Sequence, residues 1–436
     1  MSLDQIALLT ELYPLRRDII SEGYDQALEL LAHHAPFKVH RFESGSRCWS
    51  WRVPEKWTCD EAYVETLDGR RIIDQADHYL HVASYSTSID QVVSREELLA
   101  HLHTHPYLDD QPPFTFYYYQ KNWGFGCGKS TLESLVDDAY RVVIRSRFEP
   151  GHLKVAEYVL PGESDELFVF STHLCHPGQV NDGLSGVVTA LAIMEELATW
   201  QKRRYTYLML VVPETIGTVA WLSQHEGLIP KMKGGLFMEM TGLSQPPALQ
   251  LSYFEDTQLD KCFKHVHLAR ENEAWVAPYR GVVGNDERQF NAPGVRVPML
   301  SYARAFPWGH PHRPYKEYHS PKDNMEITSA EQLETSKNTI LEMIRTWEGN
   351  YFPENLFKGE VFLSGYDLAV DRNRQLDLHR NMLKIMDCID GTNSLIDIAD
   401  KLTLSFADVK YFVDRLVAVG LVSPQNSPRA TRQNPV

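Results

Sequence analysis

The stretch STHLCHPGQVNDGLSG, residues 171–186, decides how this chain folds around its polar residues. It follows the apolar run ELFVF and carries His173, Cys175, His176 and Asp182, all of them side chains that bind metals in proteins. A short apolar run ending in polar residues is typical of a buried strand, and GVVTALAIMEELATW after it is typical of a helix. The stretch therefore predicts a strand, a polar loop and a helix, with Asp182 as a helix cap or a metal ligand.

Two other apolar runs end in the same way. Glu214 follows YTYLMLVVP, and Glu239 follows GGLFM. Short apolar runs alternate with helical segments over residues 140–345, which indicates a mainly parallel mixed sheet with helices on both faces. Ligands bind beyond the carboxyl ends of such strands, so we expect His173, Glu214 and Glu239 to lie at one site. A carboxylate at the end of a buried strand is costly unless it is paired or ligated.

The remaining segments have other patterns. Residues 49–119 contain the alternating runs AYVETL, YLHVASYS and FTFYYYQ and a turn at LDGR, which predict an inserted β-rich domain. Residues 352–425 predict three short helices and a closing turn, as in a winged-helix-like domain. The tail 426–436 is expected to be disordered. The α/β domain would then comprise residues 1–48 and 120–348.

Composition excludes several classes of function. The formal net charge is −15, and from residue 351 onward 10 Lys and Arg face 11 Asp and Glu, so nucleic acid is not an expected partner. The first residues lack a basic stretch followed by a long apolar run, so a signal peptide is not expected there. No apolar run is long enough to span a membrane. Six cysteines without CxxC pairing favour the cytoplasm. A homo-oligomer formed through the inserted or winged-helix domain stays open.

The strand-end residues suit a metal. His173, Asp182, Glu239 and His319, the last within EYHSPKDN, offer nitrogen and oxygen ligands that fit zinc, with manganese or cobalt as alternatives. Zinc lowers the pKa of a bound water to about 7, and a free glutamate beside it can accept the proton.

An ordered series of motifs carries a family resemblance: His173, Asn181-Asp182 with Ser185-Gly186, Glu214 with Ile216-Gly217, Glu239 with Met240 and Gly242, and Tyr318-His319-Ser320-Pro321 with Asp323. Over roughly residues 130–345 this series resembles the co-catalytic zinc exopeptidases of the leucyl aminopeptidase and glutamate carboxypeptidase type. A closer resemblance is to uncharacterised bacterial aminopeptidase-like proteins, often associated with surface-polysaccharide genes. Their pattern, with a small β insertion and a C-terminal winged helix, is similar to STHLCHP, PETIG and NDERQ in this chain.

The resemblance implies a role for each motif. His173, Asp182 and Glu239 would hold one metal ion, and Asp182 would bridge to a second ion bound by His319. Glu214 would be the general base. The implied activity is hydrolysis of an amide bond in a peptide or N-acyl amino-acid-like small substrate.

Two positions depart from the exopeptidase pattern. The usual glutamate pair before Ile-Gly is Glu214-Thr215 here, which leaves open whether the site holds one ion or two and whether Glu214 is base or ligand. Cys175 occupies the place of an aspartate that orients the first histidine. His176 is then a candidate to compensate, as a ligand or as a contact to substrate.

Other residues are candidates for substrate binding. Asp286, Glu287 and Arg288 lie in GNDERQF, where Arg288 would pair with a substrate carboxylate, and Tyr318 precedes His319. The histidines of HLHTHP alternate and could share one face as a second metal site, although a loop leaning over the cleft is the more common arrangement. The aromatic run YYYQKNWGFG could line a pocket or pack internally.

Two alternative functions fit the same residues. One is an acyl transferase or cyclase similar to the single-zinc glutaminyl cyclases, which keep the carboxylate pair that this chain lacks. The other is a non-catalytic metal-binding regulatory protein acting through the winged-helix domain.

Overall fold

In the computed structural model, residues 3–368 and 376–429 are described. The described α-helices are α1 Gln5–Leu12, α2 Glu22–Ala32, α3 Arg95–Ala100, α4 Lys129–Glu133, α5 Leu184–Thr199, α6 Ile216–Gln224, α7 Gln258–Arg270, α8 Glu287–Asn291, α9 Ala330–Gly349, α10 Leu376–Asp387, α11 Leu395–Leu402 and α12 Phe406–Ala418.

The described β-strands are β1 Lys38–Glu43, β2 Arg47–Cys48, β3 Trp51–Arg52, β4 Lys56–Glu65, β5 Arg71–Asp74, β6 Ile89–Ser94, β7 Leu102–Thr104, β8 Phe125–Cys127, β9 Ala139–Glu149, β10 His152–Leu160, β11 Leu167–His173, β12 Thr206–Val212, β13 Met232–Met238, β14 Pro247–Gln250, β15 Trp275–Ala277, β16 Met299–Arg304, β17 Phe352–Asn355 and β18 Val422–Gln425. These helices and strands belong to two compact units. The first unit comprises the chain up to residue 255 together with residues 271–338, and the second comprises residues 256–270 and the chain from 339 onward.

The first unit contains a large mixed sheet flanked by helices, as predicted. Its eight strands follow the order β1-β10-β12-β11-β13-β16-β14-β15. Strands β12, β11, β13 and β16 run parallel, whereas β1 and β10 are antiparallel to their neighbours. Every residue of β11 is buried, which explains its nearly continuous apolar sequence, because a central parallel strand is covered on both faces.

Helix α5 approaches the sheet very closely. Its residues from Leu184 to Met194 are all buried, and such an all-round apolar helix belongs in a protein interior. Gly186 allows the approach, because a Cβ atom there would overlap with the carbonyl oxygen of Met238 in β13. The start of the helix is therefore held directly against the strand that precedes Glu239.

A second sheet in the first unit has the order β5-β4-β9-β6. The predicted LDGR turn connects β4 to β5, with the Thr66 amide donating to the Arg70 carbonyl at 3.0 Å and Gly69 at φ +89°. Strand β9 lies outside the range 49–119 predicted for the insertion. It pairs with β4 along most of its length.

Two strands predicted in this region are wrong. YLHVASYS begins as the 3-10 helix Tyr79–His81, and FTFYYYQ forms one isolated bridge, between Ser84 and Phe116, instead of a ladder. The two runs bond to each other only around Ser84, which donates to the Thr115 carbonyl at 2.9 Å and accepts from the Tyr117 amide at 2.9 Å. Next to this bridge, the Phe114 amide donates to the His319 carbonyl at 2.7 Å. Alternation in these runs reflects aromatic packing and not a repeating strand pair.

The second unit contains the three predicted C-terminal helices. Ser394 and Ser405 cap α11 and α12 by accepting from the amides three residues on, and the apolar face of α11 is buried. Strand β18 pairs antiparallel with β17. Residues 430–436 of the predicted disordered tail lie outside the described residues. Over the described ranges, no helix is both long and apolar enough to cross a membrane.

Replacing Gly186 by alanine tests the close approach of α5. The added methyl group meets backbone that cannot rotate away, so we expect the free energy of unfolding to fall by about 2–3 kcal/mol. Urea unfolding followed by fluorescence measures it. Gly227→Ala is the matched control, because a Cβ there meets nothing within 4 Å, and its effect should stay within about 0.5 kcal/mol. Equal midpoints for the two variants would contradict the close packing.

Candidate metal centre

Three neighbouring strand ends supply the polar side chains of the centre. His173 is the last residue of β11, and Glu239 directly follows β13. Glu214 follows β12 with one residue between them. Since β12, β11 and β13 are adjacent and parallel, their carboxyl ends meet at one edge of the sheet. Asp182 joins them from the loop before α5, and His319 from the loop after β16.

Asp182 lies between two histidines. The Nε2 atom of His173 is 3.1 Å from Oδ1 of Asp182 and 2.9 Å from Oε2 of Glu239. The Nε2 atom of His319 is 3.0 Å from Oδ2 of Asp182. His173, Asp182 and Glu239 are buried, whereas the His319 side chain is 24% exposed.

The ligand atoms form two groups that share Asp182. His173, Asp182 and Glu239 form one group, and His176, Asp182 and His319 form the other, each with its atoms within 4.8 Å of one another. His173, Cys175 and His176 form a third group by the same measure. The first two groups contain the four predicted metal ligands together with His176.

The contact between Asp182 and His319 fits a shared cation better than a hydrogen bond. Oδ2 of Asp182 and Nε2 of His319 are 3.0 Å apart and buried, yet neither has a hydrogen-bond partner among the described residues. Atoms that are close but not aligned as donor and acceptor are arranged as ligands of a common ion. Imidazole nitrogens and carboxylate oxygens are a donor set that zinc accepts.

Burial sets the protonation of the centre. Burial lowers the pKa of His176 well below its ordinary value, so its imidazole is neutral and can act as a ligand. Burial also raises the pKa of Glu214 to about 7, with His173 opposing the rise and the carboxylates of Asp286 and Asp182 supporting it. The Glu214 side chain is 23% exposed and lies 3.5 Å from Nε2 of His176. A carboxylate with such a pKa suits proton transfer near neutrality.

Asp323 holds the loop that carries Asp182. Its carboxylate accepts from the amide of Asn181 at 3.0 Å, from the side chain of Asn181 at 2.9 Å and from the amide of Asp182 at 3.1 Å. The hydroxyl of Tyr315 donates to it as well, at 2.9 Å. Gly183 completes the arrangement, because a Cβ there would lie 2.5 Å from Nε2 of His173.

Arg17 is a further positioning residue, one that the sequence did not indicate. Its buried guanidinium donates to the carbonyls of Leu174 at 3.0 Å, His176 at 2.7 Å and Gln179 at 3.1 Å. These three carbonyls belong to the loop between β11 and Asp182. Asn285, also not predicted, donates from its side chain to Oε2 of Glu239 at 2.9 Å.

The two departures from the exopeptidase pattern have definite places. Sγ of Cys175 accepts from the Glu214 amide at 3.0 Å and so joins two strand ends. Thr215 belongs to neither of the groups that share Asp182. Its amide donates to Oδ1 of Asp286 at 2.8 Å, and its hydroxyl accepts from Nη2 of Arg288 at 3.3 Å.

The predicted substrate-binding residues separate into two sets. Asp286 and Glu287 are fully buried, and their oxygens bond inside the protein, to Thr215 and Thr218 and to Asn285 and Gln250 respectively. Arg288 instead lines a cavity. Tyr318 stacks on His319 with ring centroids 3.9 Å apart and helps to orient that ring.

A cavity of about 540 Å³, which we call the Glu214 pocket, opens beside the centre. It is lined by Ile19, Trp51, Phe116, Tyr117, Tyr118, Tyr119, Gln120, Glu214, Thr215, Ile216, Arg280, Arg288, Gln289 and Ala292. The aromatic run YYYQ thus contributes to a pocket wall, as one of its two interpretations predicted.

The histidines of HLHTHP do not form a second centre among the described residues. His101, His103 and His105 bond separately, to the Trp123 carbonyl at 2.8 Å, the Tyr117 hydroxyl at 2.7 Å and the Tyr318 carbonyl at 2.8 Å. A separate group of possible ligands consists of His40, Glu157 and His225, in which Glu157 also accepts from the indole of Trp221.

Comparison with known proteins shows the family of this chain. The profile of a family described as a domain of unknown function (DUF4910) matches residues 6–350. The chain belongs to this family. A winged helix-turn-helix profile matches residues 366–424, so the predicted C-terminal domain is confirmed.

Relatives of this DUF4910 chain are named for peptidase-like features. A Clostridium acetobutylicum protein is 34% identical over 426 residues, covering 95% of both chains, and is named as a polysaccharide biosynthesis protein with an aminopeptidase-like domain. A crystal structure of a C. acetobutylicum protein described as a peptidase has a TM-score of 0.83 at 34% identity, over 97% of this chain and 96% of that one. The predicted resemblance to aminopeptidase-like proteins is thereby confirmed.

The α/β fold extends to more distant proteins. A zinc aminopeptidase from Bacillus subtilis has a TM-score of 0.59 at 12% identity, over 78% of this chain and 93% of that one. This likeness confirms the predicted zinc-exopeptidase-like fold class.

Asp323 offers a test of how the centre is held. Asp323→Ala removes the acceptor of four N–H and O–H donor groups, so we expect the free energy of unfolding to fall by about 3 kcal/mol or more. Tyr315→Phe removes a single donor and should cost about 1 kcal/mol. Denaturant titration of both variants compares them. A smaller loss for Asp323→Ala than for Tyr315→Phe would show that Asp323 does not organise the loop.

Proposed function

We propose that this protein is a zinc-dependent hydrolase of amide bonds, an exopeptidase or N-acyl amino-acid hydrolase with Glu214 as the general base. The observation that carries the proposal is the pair of ligand groups sharing Asp182, with Glu214 between them and the Glu214 pocket. The aminopeptidase-like name of the 34% identical relative supports the same reaction class.

The two groups support a centre that would hold two zinc ions. His173, Asp182 and Glu239 would hold one ion, and His176, Asp182 and His319 the other, with Asp182 bridging. In the exopeptidase pattern a second glutamate, at the position of Thr215, would be a ligand. Here His176 would supply that ligand instead. When bound, zinc would polarise the substrate carbonyl and lower the pKa of a water molecule.

Glu214 is suited to move the proton. Its carboxylate makes no hydrogen bond among the described residues, and its raised pKa of about 7 allows it both to accept and to release a proton. It takes a proton from the attacking water and delivers that proton to the nitrogen of the leaving amine as the C–N bond breaks. The water oxygen ends on the acyl carbon, so the products together weigh one water more than the substrate.

The size of the Glu214 pocket supports a small substrate. About 540 Å³ falls within the range of pockets that bind small molecules.

The cysteines among the described residues are all free, which supports a reducing compartment such as the cytoplasm.

Glu214→Gln tests the base directly. The amide keeps the shape but cannot accept the proton, so we expect kcat/KM to fall by about 10²–10⁴-fold with the zinc content unchanged. A panel of aminoacyl and N-acyl chromogenic amides, with zinc, manganese or cobalt added back, supplies the assay. Glu163→Gln, at an exposed position, is the control and should behave as wild type. Full activity of Glu214→Gln would rule out this role, and loss of ammonia from the substrate instead of gain of water would indicate a cyclase.

Metal analysis tests the ligand assignment. Relative to wild-type protein, His176→Gln should lose about one zinc ion per chain, and Asp182→Asn should lose both, because only Asp182 belongs to both groups. Elemental analysis after dialysis measures zinc per chain in each variant and in wild-type protein. Any zinc bound by His40, Glu157 and His225 is the same in all of them and cancels in the difference. His33→Gln, at an exposed position, is the control. Unchanged zinc in His176→Gln would remove this histidine from the ligand set.

A further inference from the structure

The Glu214 pocket has an unusual charge for this protein. Of its fourteen lining residues, two are arginines and one is an acid, Glu214 itself. The whole chain, in contrast, has a formal net charge of −15. Positive charge is therefore concentrated beside the proposed reaction centre.

Arg288 is held in place without a carboxylate. Its Nε donates to the Asn285 carbonyl at 2.9 Å, and its Nη2 donates to Oγ1 of Thr215 at 3.3 Å. These two bonds fix the guanidinium and leave its remaining N–H groups for another partner. Arg280 lies over the ring of Tyr279, with 5.4 Å from its guanidinium carbon to the ring centroid, and it is exposed.

The acidic residues next to Arg288 interact with its charge through space but form no ion pair with it. Asp286 and Glu287 precede it directly, but their carboxylates bond to Thr215, Thr218, Asn285 and Gln250. Neither Arg280 nor Arg288 forms an ion pair with any described residue. By comparison, the buried Arg304 pairs with Glu271 at 3.0 Å. Pocket arginines that form no internal ion pair are suited to bind an anionic ligand.

The same pocket also presents aromatic carbon. Phe116 is 42% exposed and Tyr119 is 54% exposed, although both line a concave surface. Phe116 stacks on Tyr118 at 4.4 Å, and the hydroxyl of Tyr119 donates to the Arg52 carbonyl at 3.0 Å, so both rings are held before any ligand arrives. Exposed, fixed aromatic faces in a pocket suit a flat or apolar part of a ligand.

We propose that the Glu214 pocket selects substrates that carry a carboxylate or phosphate group beyond the scissile amide. Arg280 and Arg288 are the specificity-determining residues that bind the anion, and Phe116 and Tyr119 pack against the part of the substrate next to it. This inference rests on the proposed function, because Glu214 and the anion site line the same cavity.

Turnover of matched substrate pairs tests the preference. The pairs are amides that carry Glu or Gln, Asp or Asn, and phosphoserine or serine beside the scissile bond, so the two kinds of anion are tested separately. Wild-type protein should favour the anionic member of at least one pair in kcat/KM by roughly 10-fold or more. The double variant Arg280→Gln/Arg288→Gln should bring that ratio close to one. Arg145→Gln, on the exposed surface of β9, should keep it.

Equilibrium binding separates this inference from the proposed reaction. Calorimetry with glutarate and with inorganic phosphate should show binding to wild type and Arg145→Gln that is roughly 10-fold or more weaker in the double arginine variant. Zinc content is measured in parallel, because both probes can also bind a metal. Arginine-dependent binding without turnover of any amide would support the inference and contradict the proposed function. Equal turnover within every pair, together with binding that ignores the arginines, would overturn the inference and leave the proposed function in place.

Discussion

The arrangement of this site depends on the buried carboxylate of Asp182. Its two oxygens face His173 and His319, and its backbone amide donates to Asp323. Buried carboxylates are costly to the fold unless they are paired or ligated, and Glu239 and Asp286 are buried beside it. The centre therefore concentrates negative charge that the histidines offset only in part, and a bound cation would offset the rest. Burial, supported by neighbouring carboxylates, raises the pKa of Glu214 and of Glu239 to about 7.

One substitution connects the metal centre to the substrate pocket. Because Thr215 has no carboxylate, it cannot serve as a strong ligand, and its hydroxyl accepts from Arg288 instead. A glutamate at this position would form an ion pair with Arg288. The guanidinium would then not be available for the anionic group of the substrate. With threonine there, the proposed ligand role would fall to His176 and the guanidinium would remain for an anion. Thr215 thus connects the proposed metal centre to the proposed anion site.

Local pattern predicted those parts of the site that lie at strand ends. His173, Glu214 and Glu239 end apolar runs, and the rule for parallel sheets places such ends together. Arg17 lies more than 150 positions from the carbonyls that it binds in the loop before Asp182, and nothing in its sequence neighbourhood distinguishes it from a surface arginine. FTFYYYQ alternates like a strand, but long-range bonds and the pocket determine its path. Asp286 and Glu287 share a motif with Arg288, and only the fold shows that they bond internally.

The backbone around the centre is held in conformations that these residues rarely adopt alone. Thr215, Met240 and His319 have φ values of +63°, +56° and +57°, each next to or within the ligand set. Such conformations cost roughly 1–3 kcal/mol each and persist only where surrounding contacts enforce them. Here the Thr215 amide bonds to Asp286, the Met240 amide donates to the Asn181 carbonyl at 2.8 Å, and the His319 carbonyl accepts from Phe114 at 2.7 Å. Hydrogen bonds of the protein itself therefore hold these backbone conformations around the candidate ligands.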